Sequence, residues 1–179
     1  MLPMPMLLSR HPEGHCMAAP NLRTSFLRAE GRGALAMNVT VLIVATIAIN
    51  GFLFAIGWAR PSGRQMPMIP PGAVVGLIWT VLLGLMGAAR WVYVRGNGDA
   101  GWRSWTPFAL AALCIAYPFY TSGLQRNDAA FWGTVVTLIV AVAVMLVLRG
   151  REPRAPWLIV PTAFWGGYVL SVMIAYPPA

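Results

Sequence analysis

The chain has 179 residues, of which 58% are hydrophobic and only 10% charged, and its formal charge is +8. So little polar surface cannot coat a soluble globule of this length, which excludes a water-soluble enzyme or binding module and points to an integral membrane protein. The basic excess is not read as a nucleic-acid footprint, because its placement along the chain follows membrane topology instead.

Residues 1–36, "MLPMPMLLSRHPEGHCMAAPNLRTSFLRAEGRGALA", hold no apolar run long enough for a signal-peptide core and are rich in Pro, Gly and Arg. They are expected to form a disordered cytoplasmic tail. Met37 opens a more ordinary beginning, "MNVTVLIVATIAINGF", so translation from Met37 is an alternative start. His11, His15 and Cys16 superficially resemble a metal site, but a fourth ligand and a scaffold are missing, so no metal is expected. Cys16 falls in the tail and Cys114 at mid-membrane, which implies no disulfide.

Beyond the tail, residues 37–179 read as one domain with five apolar stretches, about 38–58, 72–94, 105–123, 129–148 and 156–176. Each approaches the roughly 20 residues that a helix needs to cross a bilayer core of about 30 Å. The predicted fold is therefore an all-α membrane protein, a bundle of five transmembrane helices. A run such as "TVVTLIVAVAVMLVL" lacks the alternation of a barrel strand. The breaks, "ARPSGRQMPMIPP", "RGNGDAGWR", "LQRND" and "RGREPRAP", carry the turn chemistry. Every basic residue is Arg. Ten of them fall on the N-terminal side (Arg10, Arg23, Arg28, Arg32, Arg90, Arg95, Arg103, Arg149, Arg151, Arg154) and three on the other (Arg60, Arg64, Arg126). The positive-inside rule then predicts a cytoplasmic N-terminus and an outside C-terminus, in a bacterial inner membrane.

Membrane enzymes and pumps usually carry charge at membrane depth, and the helix interiors are expected to carry none. The acidic residues Glu13, Glu30, Asp99, Asp128 and Glu152 all lie in the tail or loops, so acid–base catalysis lacks its usual groups. The helices instead interleave Trp79, Tyr117, Phe119, Tyr120, Trp132, Phe164, Trp165 and Tyr168 with Gly84, Gly87, Gly123, Gly133, Gly166 and Gly167. Rings can wall a pocket for a flat apolar ligand, and glycines let helices approach. Trp58, Trp91, Trp102, Trp105 and Trp157 sit near helix ends and are expected to be interfacial anchors. For Trp79 and Trp165, pocket lining stands beside lipid-facing or inter-helix packing.

The stretch "PPGAVVGLIWTVLLGLMGAAR", residues 70–90, resembles the second helix of the TspO/MBR family, the tryptophan-rich sensory or translocator proteins. Pro70, Pro71, Gly76, Trp79, Thr80, Met86 and Ala89 fall in register with it. In the last stretch "PTAFW" keeps Pro161 and Trp165 of the family's Pro-Tyr-x-x-Trp, with Thr162 in place of the Tyr. Aligning Gly123 with the glycine of the family's Phe-Phe-Gly puts Tyr117 in place of a Trp and Cys114 in place of an Asn. The resemblance covers residues 38–176. It implies a five-helix bundle binding tetrapyrroles, sterols or synthetic aromatic ligands, with Met68, Trp79, Tyr117, Tyr120, Pro161 and Trp165 at the ligand. Pro70, Pro71, Gly76, Thr80 and Gly123 belong to its structural motif.

Departures from the family accompany these matches. Met66, Met68 and Ala73 occupy a neighbourhood that is Trp-rich in the family, and Val172 and Met173 replace a Leu-Asn pair. Fewer hydrogen-bond donors and a more pliable, Met-lined cavity follow, as in a divergent member with altered ligand choice. Trp79 lies roughly 12 Å along its helix from Pro71, and Trp165 roughly 16 Å from Tyr176, so both rings are expected to face one cavity that opens outward. No cofactor is required, a porphyrin being a ligand. The expected partners are membrane lipid, a hydrophobic small molecule and a homodimer or membrane-protein complex, but no nucleic acid. Two alternatives stay open: a structural or assembly subunit whose Gly84, Gly87 and Ala88 face a partner, and a pigment-modifying enzyme.

Overall fold

A computed structural model describes residues 31–58, 68–98, 101–121 and 127–176. Among these residues there are five α-helices and no strand: α1 (Gly31–Ala55), α2 (Gly72–Asn97), α3 (Thr106–Thr121), α4 (Asn127–Arg149) and α5 (Val160–Ala175). Short 3-10 turns, Trp102–Trp105 and Ala155–Leu158, lead into α3 and α5. Gly31–Ala55, Gly72–Asn97 and Asp128–Arg149 are each long and apolar enough to cross a bilayer, and Val160–Ala175 is a shorter apolar helix. The all-helical membrane fold is as expected, while α3 and α5, at 16 residues each, are shorter than their apolar stretches. For α5 the missing turn is taken by the 3-10 segment "APWL", which winds more tightly before the helix begins; for α3 the 3-10 segment "WRSW" takes only Trp105 of its stretch, and residues 122 and 123 lie outside the described residues.

Local chemistry fixes several boundaries. Pro71, at φ −54° and ψ 148°, is the N-cap of α2, and its carbonyl accepts from the amides of Val74 (2.8 Å) and Val75 (3.1 Å). Proline lacks the amide that would extend a helix backwards, so the Pro-Pro pair sets the start. Gly98 closes α2 in the left-handed region at φ 63°, donating its amide to the Val94 carbonyl at 2.9 Å. Pro118 inside α3 removes one helical hydrogen bond, that to the Cys114 carbonyl. Pro161 sits in the first turn of α5, where it is tolerated.

The start of α1 differs from expectation. Helix is already present at Gly31, the first described residue and inside the segment read as tail, with Ala34 fully buried and the Gly31 carbonyl accepting the Trp91 indole N–H at 3.2 Å. Packing against α2 overrides the weak helix propensity of "GRG". His11, His15 and Cys16 lie outside the described residues.

The helices run antiparallel to their sequence neighbours. Trp91 late in α2 meets Gly31 early in α1, Trp58 beyond α1 stacks on Phe119 late in α3 with centroids 5.3 Å apart, and Tyr117 late in α3 meets Ala130 and Thr134 early in α4. One end, the Gly31 end, holds both 3-10 turns. The other, the Pro71 end, holds Met68, Tyr120 and Tyr176. In packing, α1 lies on α2 and α3, α3 on α4, and α4 on α5, while the Ala155–Leu158 turn wedges against α2 and α4.

α1 meets α2 along Ala34, Asn38, Leu42 and Thr46, a stripe with a spacing of four. Opposite it, a β-carbon added at Gly87 would lie 2.5 Å from the Asn38 carbonyl oxygen, so the two backbones touch there. One added at Gly84 would meet only the Val39 and Ile43 side chains at 3.6 and 3.7 Å. These two glycines therefore face α1, so the condition of the alternative reading, that they face outward to a partner subunit, is not met by Gly84 and Gly87. Small residues allow close approach between helices wherever apolar solvent supplies no driving force of its own. The large exposed side chains, such as Phe52 on α1 and Ile139 and Leu146 on α4, form the outward apolar surface of the bundle.

Burial along α2 is uneven. From Gly72 to Val81 no residue is buried, whereas from Leu82 to Val94 the helix carries all eight of its buried residues, including Leu83 (1%), Met86 (0%) and Arg90 (0%). The bundle is closed around α2 at the Gly31 end and loose around it at the Pro71 end.

Candidate functional site

Three of the sequence-predicted site residues come together in the loose half. Trp79 of α2 lies with its ring 6.3 Å from that of Tyr117 on α3, tilted by 33°, and Tyr117 meets Tyr120 edge to face at 5.6 Å. Tyr117 is tied to α4: its hydroxyl, with a single proton to give, lies 2.9 Å from Thr134 Oγ1 and 3.2 Å from the Ala130 carbonyl oxygen. Thr134 is in turn bonded back to Ala130 at 2.8 Å, the usual way a helical threonine satisfies its hydroxyl. The Tyr117 ring is thus held from two sides.

Tyr120 is less well satisfied. Its hydroxyl-bearing edge lies against Gly133, where a β-carbon would come within 2.6 Å of Cε2 and 3.0 Å of the hydroxyl oxygen. Its hydroxyl is buried without a hydrogen-bond partner. The Thr137 hydroxyl lies alongside and gives its own proton to the Gly133 carbonyl at 2.8 Å, so it faces Tyr120 as an acceptor only. A buried, unpaired hydroxyl is costly and is commonly satisfied by something that binds.

The remaining predicted residues sit elsewhere. Trp165 is half-buried on α5 and pairs with Tyr168 of its own helix at 5.6 Å, tilted by 34°. The Tyr168 hydroxyl donates to the Met68 carbonyl, and the Tyr176 hydroxyl reaches Met68 Sδ at 4.0 Å. Met68, exposed and at φ 71°, therefore fastens the approach to α2 onto the end of α5. Trp79 and Trp165 each find a ring partner other than the other: Tyr117 for the first and Tyr168 for the second. Pro161 is exposed, Pro70 half-buried, and Pro71 and Gly76 exposed. Thr80 Oγ1 donates to the Gly76 carbonyl at 2.9 Å, which is a local helix contact. Gly123 lies outside the described residues. Phe119, Trp132 and Phe164, also read as wall-forming rings, are exposed on the outside of the bundle.

Arg90 requires a correction. Sequence reading assigned it to the charged end of its helix and left the helix interiors uncharged, but it is fully buried, the largest such side chain among the described residues. Its Nη1 donates to Asn38 Oδ1 at 2.5 Å, and its Cζ lies 4.2 Å from the Trp105 ring centroid and 5.3 Å from that of Phe108. Asn38 completes the arrangement by donating Nδ2 to the Ala34 carbonyl at 2.8 Å. An amide oxygen and an aromatic face can both receive a desolvated guanidinium. Trp105 is thereby a partner of Arg90 as well as a ring near a helix end. Trp102 and Trp157, at 68% and 73% exposure, stand out from the bundle.

The model of the TspO/MBR family matches residues 34–176, starting at the first buried residue of α1, and the chain belongs to that family. It is similar to the tryptophan-rich protein TspO of Bacillus cereus, with 28% identity over 124 residues, which cover 67% of this chain and 80% of the relative. It is also similar to the uncharacterized membrane protein YtaB of Bacillus subtilis, with 24% identity over 139 residues, covering 76% of this chain and 88% of that one. No solved structure matches the chain.

Proposed function

We propose that this membrane protein binds a flat hydrophobic ligand, of the tetrapyrrole or sterol class, in the loose half of its bundle, and serves in sensing, regulation or transport. The observation that carries the reading is the Trp79–Tyr117–Tyr120 ladder across α2 and α3, tied to α4 through Tyr117 and ending on the buried Tyr120 hydroxyl, which has no hydrogen-bond partner. The first ten residues of α2 beside it, Gly72 to Val81, have no buried member. A site of neighbouring aromatic rings with one orienting hydroxyl suits a planar molecule with a polar edge. A porphyrin bound there would lay its ring against Trp79 and Tyr117 and bring an acceptor towards Tyr120. The described helices supply no acid–base pair beside the ladder, and Gly84 and Gly87 are engaged by α1, so neither pigment chemistry nor an outward glycine seam supports a competing reading.

In this reading all five helices cross the bilayer, α3 and α5 with the help of their 3-10 turns, and the Gly31 end faces the bacterial cytoplasm. The arginines of that end motivate the orientation. Alkaline phosphatase fused after Ala179 should be active outside the cytoplasm; activity only when it is fused within residues 96–101 would reverse the assignment.

Titration of the purified protein with protoporphyrin in mild detergent should quench tryptophan fluorescence saturably. Absence of saturable quenching by any tetrapyrrole or sterol, with a stoichiometric protein partner copurifying, would replace this reading with that of a structural subunit.

A further inference from the structure

We propose that Arg90, Asn38 and Trp105 form a seal at the Gly31 end of the bundle, so that water, ions and ligands enter its interior from the Pro71 end only. The inference uses the ligand reading for its purpose, and its test uses no ligand. Arg90 is a charged group at membrane depth to which the ligand site assigns no task, and such groups persist for a reason. It lies five residues before Arg95, which already marks the helix end, and hence roughly 7 Å deeper. The guanidinium joins three segments at one level: α2 itself, α1 through Asn38 Oδ1, and the 3-10 entry to α3 through the Trp105 ring at 4.2 Å.

The cross-section around it is filled. Ala34, Ser104, Ala155 and Ile159 are all at 0% exposure and Val94 at 1%, bringing both 3-10 turns into the same layer. At the other end Met68 and Leu77 stand at 67% and 66% exposure. A cavity that opens on one side of a membrane must be closed on the other, or it conducts protons. A buried guanidinium closes it in two ways, by occupying volume and by setting a positive barrier that disfavours hydronium and other cations, as arginines do in selective pores. Leucine would supply the first of these only.

Cys114 reports on the seal. It is 4% exposed and lies eight residues into α3, roughly 12 Å beyond the Gly31 end of that helix. In a Cys16→Ser background it is the sole thiol. The protein is reconstituted into vesicles, and a small membrane-impermeant methanethiosulfonate is added to one face at a time. The parent should resist labelling from the Gly31 face. Arg90→Ala should raise the rate from that face by about tenfold or more, the scale of exposing a closed site, and leave the opposite face unchanged. Trp105→Ala, which keeps the Arg90–Asn38 hydrogen bond, should do the same to a smaller degree. A rise confined to the Gly31 face in either variant supports the seal. No rise in either, or an equal rise from both faces as in general loosening, overturns it. The ligand reading is lost instead if tetrapyrroles fail to quench a parent whose Gly31 face is closed.

Discussion

Gly87→Ala is expected to destabilise the bundle by about 1 to 3 kcal/mol, the usual scale of forcing an extra carbon into a packed core. The new methyl would stand 2.5 Å from the Asn38 carbonyl oxygen, 2.8 Å from its carbon and 3.0 Å from Val39 Cα. All three are backbone atoms, so no rotamer change relieves the clash, and α1 and α2 must move apart. That movement stretches the Arg90–Asn38 hydrogen bond, adding the cost of a charged group left partly unsatisfied in a dry site. Gly84→Ala, three residues away, meets only side chains at ordinary contact distance and should change stability by no more than about 0.5 kcal/mol. Thermal unfolding in detergent separates the two. Equal melting temperatures for Gly87→Ala and the parent would show that the helices do not approach as closely as the structure has them.

Much of this architecture is legible in the sequence where backbone chemistry decides. The Pro-Pro pair fixes the start of α2 because proline has no amide to continue a helix backwards, and "GNG" stops it because Gly98 takes the left-handed turn. What the sequence hides are the matters settled by which way a side chain faces. Gly84 and Gly87 read equally well as an outer seam or an inner one, and only the backbone of α1 opposite Gly87 decides. Arg90 looks like part of a cluster with Arg95 and Arg103 at a membrane surface. The available signal was depth: Arg95 already reaches the boundary, so an arginine a turn and a half earlier needs an interior partner, and Asn38 is the one amide early in α1. The sequence offers Trp79, Tyr117 and Tyr120 as candidate pocket residues, but not the contact of Trp79 with Tyr117 from α2 to α3, which depends on how those helices are rotated. The Trp165–Tyr168 pair shows the limit of depth arithmetic, which places rings at a level without saying around which side of the helix they point.

Within the ligand reading, Trp79→Ala should weaken tetrapyrrole binding by about 1 to 3 kcal/mol, the scale of losing one buried aromatic surface. Tryptophan fluorescence titration measures it, with Trp157→Ala as control because that indole is 73% exposed at the opposite end of the bundle. Trp165→Ala tests how far the site reaches towards α5: a comparable loss means that the ligand spans from the Tyr117 ladder to the Trp165–Tyr168 pair. The sharper variant is Tyr120→Phe, because it moves stability and affinity in opposite directions. Removing a buried hydroxyl that has no partner deletes an unpaid desolvation cost, so the ligand-free protein should melt at the same temperature or somewhat higher. If the hydroxyl serves to meet an acceptor on the ligand, the same change should lower affinity by about 1 kcal/mol, the net worth of one hydrogen bond. A variant that is as stable as the parent but binds less tightly identifies Tyr120 as the orienting donor. Should Tyr120→Phe bind as well as the parent, the ligand is held by stacking alone, and should Trp157→Ala lose as much affinity as Trp79→Ala, the site is not at the ladder.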